Sequence, residues 1–133
     1  MHLKTMIATT ALVALTAGAA LAKIPLRDVA EIDRPMFSVA MAIEISDKCD
    51  DIGRRTLKGL AFLNDLRIKA KDMGYTDDEI KAYVRSDDEK ARMRAMGEAY
   101  MRQKGLDPEV EANLCVLGKQ EIAANSQIGA FLK

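Results

Sequence analysis

Apolar positions recur at helical spacing along most of the chain, and no stretch shows the alternation of a half-buried strand. Met36, Val39, Ala40, Ala42 and Ile43 form one broad stripe, while Phe37, Met41 and Ile45 lie on other sides. A helix apolar nearly all round belongs at the centre of a bundle. Pro35 suits its first turn, with Asp33 or Arg34 just outside, and Cys49 marks its end. Residues 24–33 read as an entry segment with one short helix. A second helix is expected over 54–72, with Leu57, Leu60, Ala61, Leu63, Leu66 and Ile68 inward and Gly74 just past its end.

Thr76-Asp-Asp-Glu79 has capping-box spacing, with Tyr75 and Ile80 at the staple positions. Ser86-Asp-Asp-Glu89 repeats it. Helices are therefore expected over 77–85 and 87–104, the second ended by Gly105. Asp107-Pro108 opens a last long helix to about Ala124. Ile128, Phe131 and Leu132 give the tail a reason to dock. The pattern predicts an all-α fold, a compact array of five or six helices around a central apolar helix.

The N-terminus has a different character. Lys4 precedes an apolar run, Ile7 to Leu15, and small residues stand at −3 and −1 of a cut after Ala22. Met6 to Ala22 would span only about 25 Å as a helix, against a hydrocarbon core of about 30 Å. The expectation is a cleaved signal peptide over 1–22, a single helical domain over 23–133, and a periplasmic location. No later segment looks able to span a membrane.

Charge and composition then bear on chemistry. The chain has 20 basic and 20 acidic residues, a balance that speaks against a dedicated nucleic-acid binder. Its one histidine, His2, leaves with the leader. The mature chain then has no Ser-His-Asp or Cys-His system, no His-based metal site and no C-x-x-C-H haem attachment. It also has no phosphate-binding G-x-x-x-x-G-K-[ST] loop. No cofactor, no metal and no catalytic residue is assigned.

The two cysteines, Cys49 and Cys115, are expected to pair, as cysteines in exported chains usually do. The alternatives are two free buried thiols or a redox pair, which lacks the C-x-x-C spacing. Asp50-Asp51, Asp77-Asp78 and Asp87-Asp88 do not fit a calcium loop, and the last two suit helix starts. Glu44 is the candidate functional carboxylate, because it interrupts an apolar helix. If buried it would serve as an acid; otherwise it pairs with Lys48 or with an arginine of a facing helix. Met93, Met96, Gly97 and Tyr100 share a face, which reads as core filling or, less simply, as thioether ligands for Cu(I). Met101 lies off that face. Arg54, Arg55, Lys58, Arg92 and Arg94 are interleaved with acids and read as solvated.

The order of parts resembles a small exported alphaproteobacterial family, a domain of unknown function. The pieces that carry the resemblance are IATTALVAL, PLRDVAEID (25–33), the cysteine after the first long helix, GYTDDEIKAYV (74–84), SDDEKARMRA (86–95) and Cys115 before EIA (121–123). The resemblance implies no activity. It also implies a loose genomic association with respiratory NADH dehydrogenase genes, hence a protein partner on the periplasmic face of a membrane complex. The leading expectation is a non-enzymatic interaction or accessory/assembly module. The alternatives are a carboxylate-based cell-wall hydrolase using Glu44 or Glu98, and a stress-type periplasmic holdase.

Overall fold

The computed structural model describes residues 23–133; the leader assigned to 1–22 lies outside the described residues. A 3-10 turn at Leu26–Asp28 leads into five helices: α1 (Ala30–Lys48), α2 (Thr56–Asp72), α3 (Asp77–Arg85), α4 (Asp87–Gln103) and α5 (Glu111–Ala123). A second 3-10 turn follows at Gly129–Phe131. Among the described residues, extended pairing is limited to one antiparallel bridge between Arg54 and Leu132. The fold is all-α, as the apolar pattern predicts.

The central role of α1 follows from its sequence. Ile45 is fully buried, with Val39, Met41 and Ala42 close to it in burial. The helix packs against α2, α4, α5 and both 3-10 turns. One core cluster joins α1 to Leu114 and Leu117 of α5 and to Ile128, Phe131 and Leu132 of the tail. A second cluster gathers Leu26, Ile32, Leu66, Ala70 and Tyr75 around the start of α1. Cys49 and Cys115 are bonded, with their Cα atoms 5.6 Å apart, tying the end of α1 to α5.

Two helix starts and one cap differ from expectation for identifiable reasons. α1 starts at Ala30, so Pro35 sits inside it rather than in its first turn. Pro35 has no N–H to give the Glu31 carbonyl. The turn before it is instead held by tertiary contacts: Ile32 is buried, and Asp33 is gripped by Tyr83 and Arg92. α5 starts at Glu111, three residues after Pro108. The Asp107 side chain accepts from the Glu109 N–H at 2.9 Å, and its carbonyl accepts from the Asn113 amide. Those bonds form a local turn that competes with a helix. The Ser86 cap is only half a capping box. Ser86 accepts from the Glu89 N–H, but the Glu89 carboxylate turns away to arginines.

α2 departs most from its pattern. Leu66 and Ala70 are buried, whereas Leu57 (84% exposed), Leu60 and Ile68 face outward. A helix with apolar residues on both sides cannot bury both against one neighbouring layer. The caps of α3 behave as predicted. Thr76 accepts from Glu79, Glu79 accepts from the Thr76 N–H, and Gly74 takes a φ of +94°.

The tail docks, also as predicted. Gly53 and Lys133 exchange two backbone hydrogen bonds of 2.8 Å, and the Arg55 N–H donates to the Phe131 carbonyl at 2.7 Å. Gly129 is needed there. A Cβ on it would stand 2.0 Å from the Glu121 carbonyl oxygen.

Candidate functional site: an apolar groove beside the central helix

The stripe of α1 that its neighbours leave uncovered forms the floor of a groove of about 830 Å³. That size lies in the range of ligand sites. Met36, Ala40 and Ile43 recur on this floor at the three- and four-residue steps that place side chains on one helical face, and the buried Ile32 continues that line beneath the closed end. Leu63 and Leu66 of α2 form one wall, and Met93, Gly97 and Met101 of α4 the other. Ile80, Tyr83 and Val84 of α3 close the end near the start of α1. Pro108 and Leu114 stand at the far end. Ile43 and Val84 are 41% and 47% exposed, so apolar surface remains open to solvent.

Four methionines line this groove: Met36, Met41, Met93 and Met101. Gly97 allows the close packing of α1 and α4, since a Cβ there would lie 2.6 Å from the Met41 sulfur. Methionine side chains are flexible and polarizable, and such surfaces adapt to varied apolar partners. The expected methionine face is thereby corrected. Met93, Gly97 and Met101 are the buried line of α4, four residues apart, and Met101 belongs to it. Met96 sits beside that line, where its sulfur accepts from Arg92 at 3.2 Å.

A polar clamp locks the α3 end. Asp33, 6% exposed, accepts from the Tyr83 hydroxyl at 2.7 Å and from Arg92 through both carboxylate oxygens. Arg92 also donates to Glu89 at 2.7 Å, and Glu89 accepts from Arg27. The clamp thus joins the entry turn, α1, α3 and α4. Burial, then the bond to the Asp33 carboxylate, pushes the Tyr83 hydroxyl far above the ordinary phenol range. Burial works to raise the Glu89 carboxyl, but its bonds to Arg92 and Arg27 outweigh that and hold it below the usual value. Arg92 is therefore not the solvated residue that its neighbours in sequence suggest.

A second buried acid lies away from the groove. Glu121 is 2% exposed, and its Oε1 accepts from the Tyr100 hydroxyl at 2.7 Å. Its Oε2 has no hydrogen-bond partner, and Lys104 stands 3.9 Å from Oε1. Burial, reinforced by the Glu121 hydrogen bond and charge, pushes the Tyr100 phenol up to about 12. A folded pKa above the unfolded value of 10.0 contributes stability that is present below pH 10 and lost as pH rises toward 12. Alkaline unfolding of the wild type should therefore steepen above pH 10. Tyr100→Phe should partly flatten that limb, and phenolate absorbance should show one of the two late-titrating tyrosines disappear in the variant, leaving Tyr83.

Glu44 lines the groove rim, half-exposed, with its carboxylate 2.6 Å from the Lys48 ammonium one turn on. Glu98 lines the opposite wall and stands 3.6 Å from Arg102. Each acid thus has a cation on its own helix. Among the described residues, no group of three or more His, Cys, Asp or Glu could hold a metal ion. Among them too, no helix is long and apolar enough to cross a membrane.

A family model described as a family of unknown function (DUF5333) matches residues 24–133. The chain belongs to DUF5333. No curated protein and no solved structure gives a match. The DUF5333 match takes in the groove, the clamp and both cysteines, and it begins directly after Lys23. The order of the sequence motifs had implied such a family.

Within this DUF5333 chain, sequence reasoning missed the two buried acids. Glu121 was detectable, since it falls on the buried line of Leu114, Leu117 and Gly118 at helical spacing. Asp33 was not. It was read as lying outside the helix, and its partners Tyr83 and Arg92 are 50 and 59 residues away.

Proposed function

We propose that this protein is an exported, non-enzymatic interaction module that receives an apolar segment of a partner in the groove beside α1. The observation that carries the reading is the groove itself. It is open, lined by methionines and aliphatic side chains, and its rim acids Glu44 and Glu98 are each paired with a cation. Ligand sites are typically apolar concavities with a few placed polar groups. Export to the periplasm is supported by the leader pattern of residues 1–22 and by a disulfide, a bond that persists in oxidising compartments. A partner on the periplasmic face of a membrane complex fits this reading.

A photo-crosslinking residue placed at Ile43, in the groove, should yield a discrete higher-mass adduct in intact cells. The same probe at Lys58, exposed on α2, should not. Ala40→Arg, which projects a charged side chain from the groove floor, should abolish the Ile43 adduct while the protein stays folded. Equal labelling at both positions, or an adduct indifferent to Ala40→Arg, would remove the groove as the interaction site.

A further inference from the structure

We infer that the groove's occupant is an amphipathic helix of a partner protein, running antiparallel to α1; this rests on the groove being the interaction site. The open floor, from Met36 to Lys48, extends about 18 Å at the rise of an α-helix. That length matches about twelve helical residues, and helix-in-groove recognition uses this kind of surface, with anchors at i, i+3, i+4 and i+7. α2 and α4 both pack on α1 and flank the open stripe, which leaves the α1 face itself for another helix to pack on.

The direction follows from the rim charges. Near the α3 end, Arg94 has no ion-pair partner among the described residues. Lys90 reaches only Asp87, 3.7 Å away and 99% exposed. At the far end, Glu109 and Glu111 likewise have no cation partner among the described residues. The rim is therefore basic toward the start of α1 and acidic toward its end. A helix carries partial positive charge at its N-terminus and negative charge at its C-terminus. An occupant with its N-terminus by Glu109 and Glu111 and its C-terminus by Lys90 and Arg94 satisfies both ends. That orientation also opposes the dipole of α1. A single acyl chain with one anionic head would answer the basic end alone.

The test uses the purified protein with its disulfide intact and two stapled amphipathic peptides of about twelve residues. Both carry the same leucine stripe and composition. One bears lysines in its first turn and glutamates in its last, and the other the reverse; stapling keeps both helical when free. The lysine-first peptide should bind about tenfold more tightly at low salt, as several exposed charge pairs would allow. The double variant Arg94→Glu with Glu111→Lys changes only exposed side chains and should abolish the preference, because each end then carries one charge of either sign. Equal affinity or the opposite preference in the wild type, or a preference unmoved by the double variant, would overturn the proposed orientation. Binding of a sixteen-carbon fatty acid without either peptide would sink the helix and leave the apolar groove as a binding site. Failure of both the peptides and the fatty acid to bind would sink the groove reading as well.

Discussion

Replacing both cysteines, as Cys49→Ala with Cys115→Ala, should lower unfolding free energy by about 4 kcal/mol. The figure comes from the loop the bond closes. Cys49 and Cys115 are 66 residues apart in sequence, and a cross-link of that span restricts the unfolded chain by roughly this amount. Small domains have only about 5–15 kcal/mol in total, so the double variant should sit near the edge of folding. Cys49 lies within the main core and the partly buried Cys115 packs against it, so alanine also leaves a small void. Urea unfolding of wild type, reduced wild type and the double variant separates these contributions. Reduced wild type should lose most of the stability, and the double variant slightly more. A reduced protein as stable as the oxidised one would show that the bond constrains nothing that matters. On the export proposed above, intact mass of the mature protein should fit a chain starting at Lys23 less two hydrogens.

How legible this was differs element by element. α3 and the end of α2 were readable to the residue, because Thr76 and Glu79 cap the one and Gly74 ends the other through neighbours in sequence. The central place of α1 was readable because its apolar residues surround the helix. The inward face of α2 was not. Leu57, Leu60 and Ile68 have the same hydrophobicity as Leu66, and only the position of α1 decides which side is covered. The groove was illegible for the same reason. It is the side of α1 that no helix covers, and a pattern of apolar positions says that a face seeks a partner without saying whether the chain supplies one. The clamp was hidden more deeply. Arg92 stands in a charged stretch, three acids followed by Lys90, Arg92 and Arg94, where solvation is the ordinary reading, and its partner Asp33 lies two residues before a proline that suggests a helix start.

That clamp yields the second large effect. Arg92→Met should destabilise the protein by about 3 kcal/mol, the low end of the cost of breaking a buried ion pair, since Arg92 remains a quarter exposed. The methionine preserves much of the side-chain volume but leaves the Asp33 carboxylate, 9% exposed, with only the Tyr83 hydroxyl as a partner. Asp33→Asn should cost less, because the amide retains an acceptor for Tyr83 and removes the charge that requires neutralising. The acid limb provides an independent check. The Glu89 carboxyl is held below its ordinary value of 4.5 by Arg92 and Arg27 against the opposing pull of burial. A depressed folded pKa contributes stability above the unfolded pKa, and that stability disappears as pH falls through the folded value. Wild type should therefore lose stability as pH drops below about 4.5, and Arg92→Met should lose less over the same interval. Urea midpoints taken across that range would show the two curves converging toward low pH. Parallel curves would mean that Arg92 stabilises the fold by packing its stem, and that its charge bears little of the load.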